Sequence, residues 1–403
     1  MENTFIARQP IYDNDDQLIG YELLYRASAI NVASFDDGKI ASSQVILNSF
    51  LEIGFDSLVG SSSAFINITE DFILDESLIP MYEKHTVLEI LEEIQPSKEV
   101  IAGVRRLKKL GYKIALDDFM YSPEYDELLE LADYVKLDII ELGENRVIRE
   151  LKKLRKLKNF NGKIIAEKVE TPEMYDFCKQ QNFDFYQGFY FCIPQVISHK
   201  NIPANKLVVL NLIKELNNPD FEFAEIEKAV AHDATLTYKL LRYVNSAAFG
   251  HRQEISTIKE ALALVGGDTI RKWAMLILMM QLNEGKPEAL LISALVRARM
   301  CESLEEDKAG EMFTIGLMSL LDALMDIPLV DLLDDLALSS PVKIALLDYK
   351  GEKGKILHNV IRYEQGGWDE LIVDIDNVQP YFDAYIEAVE WADSTTAMLK
   401  LEN

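Results

Sequence analysis

Over residues 1 to about 200 one pattern recurs: a short apolar run, a polar residue at its end, then a segment with helical spacing. Ala64-Phe-Ile-Asn67 ends on an amide, and Thr86-Val-Leu-Glu89 ends on an acid with Glu92 three further on. Asp133-Tyr-Val-Lys136 ends on a cation followed by Leu137 and Asp138. Gly162-Lys-Ile-Ile-Ala-Glu167 ends on an acid, and Phe183-Asp-Phe-Tyr-Gln187 on an amide before Gly188. Between these runs, 97–110, 125–131 and 146–157 place apolar residues at helical intervals, and 172–180 carries Pro172 in its first turn. Strands alternating with helices require parallel βαβ units. About eight such units predict a TIM-type (β/α)8 barrel, whose functional site lies at the C-terminal face of the strands.

The run Lys113-Ile-Ala-Leu-Asp-Asp-Phe119 stops on two adjacent carboxylates. Adjacent carboxylates repel each other and resist burial unless a cation or strong donors offset them. By itself the pair reads either as an Asp cap opening the next helix or as part of a metal site. The other strand ends decide between the two. Glu22, Asn67, Glu89, Asp117 with Asp118, and Glu167, at the ends of five separate strands of one barrel face, converge on an oxygen-rich site without histidine or thiolate. Such a donor set suits Mg²⁺ or Mn²⁺ better than Zn²⁺. Lys136 and Gln187 are placed to position a water or a phosphate oxygen.

At 403 residues the chain exceeds one ordinary domain. Past residue 200 the strand pattern gives way to amphipathic helices at 207–216, 224–231, 236–245 and 257–264, so a boundary is expected there, with a barrel domain at 1–200 and an all-α domain at 201–403. Gly266-Gly267 has no preceding strand and reads as a turn rather than a phosphate loop. His232-Asp233 looks like a metal-binding pair, but none of the other four histidines is spaced to join it, and a helix-end turn is the better reading. The basic stretch 149–163 reads as a solvated outer helix of the barrel, with docking of an acidic partner as the competing reading.

The net charge of −26 repels phosphate backbones and anionic lipid, which argues against a nucleic-acid or membrane binder. Any phosphate ligand therefore needs local cations or metals. Cys178, Cys192 and Cys301 form no CxxC pair, the N-terminus has no signal-peptide pattern, and the longest apolar run, 273–280, is too short to span a bilayer. A cytoplasmic protein is expected.

The motifs in the first half resemble the EAL domain, a barrel that hydrolyses the bacterial second messenger cyclic di-GMP to linear pGpG. Gln9-Pro10-Ile11 stands at the family's QPI, Glu22-Leu23-Leu24 at its E-A-L with Arg26 at the following arginine, and Glu89 with Glu92 at E-L-T-E. Asp117-Asp118-Phe119 matches D-D-F, Lys136-Leu137-Asp138 matches K-I-D, Glu167 to Glu170 stands for E-G-V-E, and Gln187-Gly188-Phe189 matches Q-G-Y. The resemblance implies that Glu22, Asn67, Glu89 and Asp117 hold one Mg²⁺ or Mn²⁺, with Asp117 bridging to a second near Asp118. It implies that Glu167, Lys136 and Glu22 serve catalysis, and that Gln9, Arg26, Gln187 and Glu170 contact the nucleotide. Such cations polarise a phosphodiester and activate water near neutral pH.

Three departures bear on activity. The family's D-D-F-G-x-G-Y-S-S loop is here Asp117-Asp-Phe-Met-Tyr-Ser-Pro-Glu-Tyr125, with both glycines replaced by residues that disfavour left-handed backbone angles. In the family that loop shapes the second metal site and the dimer contact, so a homodimer is a further implication. Lys168 replaces the glycine of E-G-V-E, and residues 27–43 lack a counterpart to F-I-P-x-A-E, a wall of the guanine pocket.

The second half resembles the HDOD domain, a helical relative of HD phosphohydrolases without their metal ligands. The resemblance rests on His232-Asp-Ala-Thr-Leu, on Tyr238-Lys-Leu-Leu-Arg-Tyr-Val-Asn-Ser-Ala-Ala-Phe-Gly250, on Ile255-Ser-Thr-Ile-Lys-Glu-Ala-Leu and on Arg271-Lys-Trp273. It implies a docking or regulatory module with a protein partner. Two function classes follow: a metal-dependent cyclic di-GMP phosphodiesterase with a non-catalytic helical output module, or an eroded scaffold that senses the nucleotide or only binds proteins. The retained acids favour the first.

Overall fold

The computed structural model describes residues 4–27, 58–60, 62–75, 85–157, 159–188, 190, 204–217, 234–245, 255–283, 286–305, 307, 309–368, 371 and 377–400. Its chain divides into two compact units, Met1–Ile193 with Arg362–Phe382, and Pro194–Ile361 with Asp383–Asn403. The side chain of Arg26, the His232-Asp233 pair, the expected helix at 224–231 and residues 28–43 lie outside the described set.

The first unit is a closed eight-stranded barrel in the order β1 (Thr4–Asp13), β2 (Leu18–Ala27), β3 (Ser63–Ile68), β4 (Thr86–Ile90), β5 (Lys113–Leu116), β6 (Tyr134–Asp138), β7 (Lys163–Glu167) and β8 (Phe185–Gln187). From β2 to β8 the strands are parallel, as the repeating pattern requires, but β1 runs antiparallel to both β2 and β8. The reason is local. Asp13 Oδ1 accepts hydrogen bonds from the amides of Asp15 and Gln17, and Asp16 adopts a left-handed φ of 58°. A tight Asx-type turn of this kind returns the chain at once and leaves no room for a crossover helix.

Helices α1 (Glu70–Leu74), α2 (Lys98–Leu110), α3 (Asp126–Leu129), α4 (Ile139–Leu154) and α5 (Pro172–Gln180) follow β3 to β7. Their ends obey ordinary capping chemistry. Ser97 Oγ accepts from Val100 N, Gly111 closes α2 at φ 104°, and Thr171 Oγ1 accepts from Met174 N ahead of Pro172. Gly143, at φ 65° and ψ 156°, divides α4 into a short turn, capped by Asp138 Oδ1 accepting from Glu141 N, and the main helix that ends at Leu154, which is the helix expected over 146–157.

Inside the barrel, Ile11, Phe65, Val87, Ala115 and Ile165 form a fully buried layer, against which Ile19, Tyr134 and Phe185 pack. Side chains alternate along a strand, so the residue two positions on points the same way. Two residues past Phe65, Val87, Ala115, Tyr134, Ile165 and Phe185 stand Asn67, Glu89, Asp117, Lys136, Glu167 and Gln187. Gly20 stands two before Glu22, and antiparallel β1 supplies Gln9 two residues before Ile11. An apolar layer thus floors a polar one. Gly20 is required by the floor: a Cβ there would come within 2.5 Å of the Ser63 carbonyl and 3.0 Å of the Phe65 ring.

The second unit is helical in its described residues. It holds α6 (Gly267–Leu282), α7 (Glu288–Ser303) and α8 (Ala309–Met318), and α9 (Gln379–Lys400) belongs to it from Asp383 on. Residues 273–279 are buried on every side, as their apolar composition implies. Gly266, at φ 83°, is the turn between the 258–265 helix and α6, and Thr257 with Glu260 forms a capping box at the start of that helix. No helix among the described residues is long and apolar enough to cross a membrane.

The Phe65 ring is fully buried and meets Tyr134 edge-on at 5.3 Å. Phe65→Ala is expected to cost about 3–5 kcal/mol of barrel stability, read by urea unfolding. A loss under about 1 kcal/mol would show that this layer is not the barrel's core.

Candidate active site at the barrel mouth

The polar layer converges on one ammonium. Lys136 Nζ is fully buried and lies 3.1 Å from Glu22 Oε2, 2.9 Å from Glu89 Oε1, 2.9 Å from Asp117 Oδ1 and 2.8 Å from Glu167 Oε1. Five strands each contribute one of these groups. Gln187 Nε2 donates to Glu22 Oε2 at 2.6 Å and to Gln9 Oε1 at 3.0 Å, and Asn67 Nδ2 donates to Glu22 Oε1 at 3.4 Å. Of the residues singled out in the sequence, Glu22, Asn67, Glu89, Asp117, Lys136, Glu167, Gln187 and Gln9 therefore come together. Glu170 is half-buried and makes no hydrogen bond or ion pair with the cluster among the described residues.

Four carboxylates against one ammonium cannot all be ionised cheaply out of water. Burial disfavours the charge on Lys136, but Glu167, Glu22, Glu89 and Asp117 outweigh it and hold the ammonium protonated well above its ordinary range. For Glu22, burial works against ionisation, but the Lys136 charge and the bonds from Gln187, Lys136 and Asn67 prevail and keep the carboxyl below its ordinary value. Glu89 goes the other way: burial, with Glu22 and Asp117 adding repulsion, outweighs Lys136 and raises it well above normal. Glu167 is pushed up to about 8 by burial, with the charges of Asp117 and Glu22 reinforcing it against Lys136. One cluster thus contains an acid favoured as the anion, Glu22, and two acids, Glu89 and Glu167, held back from ionising.

Several oxygens in the cluster have no donor. Asn67 Oδ1, Glu89 Oε2, Asp118 Oδ1, Glu167 Oε2 and Gln187 Oε1 are buried without a hydrogen-bond partner. Buried acceptors left this way are costly, and an all-oxygen set of carboxylates and an amide matches the preference of Mg²⁺ or Mn²⁺. The residues present fit a hard divalent cation.

Asp118 faces a cleft beside β4 to β6 of about 560 Å³, lined also by Glu92, Asp138, Glu141, Tyr121 and Tyr125. Carboxylate oxygens of Glu92, Asp117 and Asp118, and of Asp118, Asp138 and Glu141, lie within 4.8 Å of one another. Burial and the Asp117 charge raise the Asp118 carboxyl. Glu92 and Asp138 were visible only as motif residues, and Glu141 was missed. The signal for Asp138 was present: it follows inward-facing Lys136 by two positions on the same strand.

Two residues here hold left-handed backbone, Asp118 at φ 39° and Lys168 at φ 53°. Aspartate tolerates this region, whereas lysine at a position suited to glycine carries a cost of about 1 kcal/mol. Lys168 Nζ donates to Asp138 Oδ2, and that bond holds the ammonium above its usual range. Met120 and Tyr121 avoid left-handed angles. Their loop is fixed instead by Phe119 N donating to Lys136 O at 3.0 Å, Tyr121 N to Glu150 Oε2 at 3.0 Å, and Phe119 meeting Tyr125 edge-on at 5.5 Å.

Compared with known proteins, residues 50–194 match the family model for the EAL domain and residues 202–329 that for the HDOD domain. The chain is 30% identical to the cyclic di-GMP phosphodiesterase CdgJ of Vibrio cholerae over 99% of its own length and 94% of that protein. It is 32% identical to protein YuxH of Bacillus subtilis, over 96% of this chain and 97% of that one. A solved structure of a standalone EAL protein from Vibrio cholerae O395, in its c-di-GMP-bound form, aligns with a TM-score of 0.40 at 21% identity, covering 47% of this chain and 91% of that one.

An unfolded chain ionises Glu167 near its ordinary 4.5, whereas the folded, metal-free protein keeps it protonated to about 8. The stability tied to this group is therefore full below 4.5 and is lost as pH rises toward 8. In the presence of a chelator, the parent protein's melting temperature is expected to fall more between pH 5 and pH 8.5 than that of Glu167→Gln. Equal pH slopes would show that Glu167 ionises normally.

Proposed function

The chain belongs to the EAL–HDOD family, and from that premise we propose that its barrel hydrolyses cyclic di-GMP to pGpG in a reaction dependent on Mg²⁺ or Mn²⁺. The observation that carries this reading is the ring of buried oxygens without donors around the mouth, on Asn67, Glu89, Asp118 and Glu167. In this reading Glu22, Asn67, Glu89 and Asp117 hold one cation, and Asp117 with Asp118 holds a second. When bound, the cations would supply the Lewis acidity that offsets phosphodiester charge and lowers the pKa of water so that hydroxide forms near neutral pH.

The chain's own residues do the rest. Glu167, as the carboxylate, takes the proton of the attacking water on Oε2, the oxygen that has no donor. Lys136 stays charged through the reaction and holds Glu22, Glu89, Asp117 and Glu167 in fixed orientation. Gln187 fixes Glu22 and Gln9, and Gln9, Arg26, Gln187 and Glu170 contact the nucleotide. We keep a boundary near residue 200, with the helical half as a regulatory module for a protein partner, the barrel loop as a homodimer contact, and the cytoplasm as the setting.

One observation favours the scaffold reading. Lys168 occupies the Asp138 carboxylate, which belongs to the second group of convergent acids, and so competes with a second cation. Purified protein with Mn²⁺ or Mg²⁺ is expected to convert cyclic di-GMP to pGpG, and Glu22→Ala to reduce turnover to background. Binding of the nucleotide without turnover under either metal would establish a sensor instead, and neither binding nor turnover would leave the scaffold.

A further inference from the structure

The second unit contains a cavity of about 340 Å³ that the barrel chemistry does not use. One wall is a single face of α6, where Asp268, Arg271, Lys272 and Met275 follow one another at helical spacing. Opposite stand Phe313 and Thr314 of α8, and Leu338 and Val342 extend the apolar lining. Asn217, just past the 204–216 helix, completes the rim.

Two donors on this cavity are unused. Arg271 Nε and Asn217 Nδ2 are buried atoms with no hydrogen-bond partner. Arg271 has one ion-pair contact, 3.5 Å to Asp268, whose side chain is 90% exposed. A surface pair of that length contributes little. The other charges on the cavity are satisfied locally: Lys272 pairs with Glu302 and lies over the Phe313 ring, and Glu311 pairs with Lys353. An unpaired guanidinium edge and an unpaired amide donor beside apolar walls therefore seek an acceptor that carries its own apolar body. The two carboxylates that also line the cavity, Asp268 and Glu311, are each paired with a cation, and Arg271 and Lys272 balance their charge.

We propose that this cavity binds a small organic anion, with its carboxylate or phosphate on Arg271 Nε and Asn217 Nδ2 and its apolar body against Met275, Phe313, Leu338 and Val342. The volume lies in the range of small-molecule sites. Arginine's planar fork is the group that suits such an anion best. This goes beyond the barrel reading, and its readout is binding, independent of turnover.

The test uses the full-length protein and ligand-observed NMR with benzoate and phenyl phosphate, and with benzyl alcohol and inorganic phosphate as the separate halves. At least one of benzoate and phenyl phosphate is expected to bind, and whichever binds more tightly identifies the anionic group. Each half alone should bind about tenfold or more weakly than the whole, and Arg271→Gln should weaken the whole probe by a similar factor. Asn217→Ala, at the rim, is expected to act in the same direction, and thermal unfolding confirms that both variants are folded. The proposal is overturned if neither probe binds, if inorganic phosphate binds as well as phenyl phosphate, or if both folded variants bind like the parent.

Discussion

Lys136 sits where five strands meet, with its ammonium among the carboxylates of Glu22, Glu89, Asp117 and Glu167 and no exposure to solvent. Burying any one of these acids alone would drive it neutral, and burying the lysine alone would deprotonate it. Together they share one ammonium unequally. Glu22, which also receives Gln187 and Asn67, stays ionised, while Glu89 and Glu167 are held back from ionising. The excess of acid over base, with the oxygens left without donors, makes the mouth a place for divalent cations. The chemistry proposed for the barrel rests on that imbalance.

The floor beneath the cluster explains why the imbalance is tolerated. Ile11, Phe65, Val87, Ala115 and Ile165 close the barrel interior, and the polar layer begins one side-chain alternation above them. Each strand's apolar run ends where its inward residue must become polar, so the repeating pattern in the sequence is the barrel's cross-section written strand by strand. That is why the eight-stranded fold, the strand ends and the residues Glu22, Asn67, Glu89, Asp117, Lys136, Glu167 and Gln187 were legible before any coordinates. The direction of β1 was not, because an apolar run reads the same in parallel and antiparallel strands, and only the Asp13 turn decides it.

The glycine replacements near the mouth turned out to differ in kind. Lys168 keeps a left-handed backbone and fastens itself to Asp138, whereas Met120 and Ser122 take ordinary angles in a loop anchored by Glu150 and by Phe119 stacked edge-on with Tyr125. The same substitution type therefore stores strain at one site and is absorbed by a different set of contacts at the other. In the helical unit, local signals again carried far: the helical spacing at 257–264, the Gly266 turn and the all-round apolar 273–279 stretch each produce what they imply.

Alternation of period two, capping residues and apolar runs are local properties, so the sequence by itself determined which strands and helices form and which residues face the barrel axis. Tertiary structure alone decided which of those inward groups touch. The unequal ionisation of Glu22, Glu89 and Glu167, the grouping of Asp118 with Glu92, Asp138 and Glu141, and the placement of Arg271 and Asn217 on one cavity all depend on distances between residues far apart in the chain. Coulomb and desolvation energies follow separation and burial in space, and neither quantity is written in the order of residues along the chain.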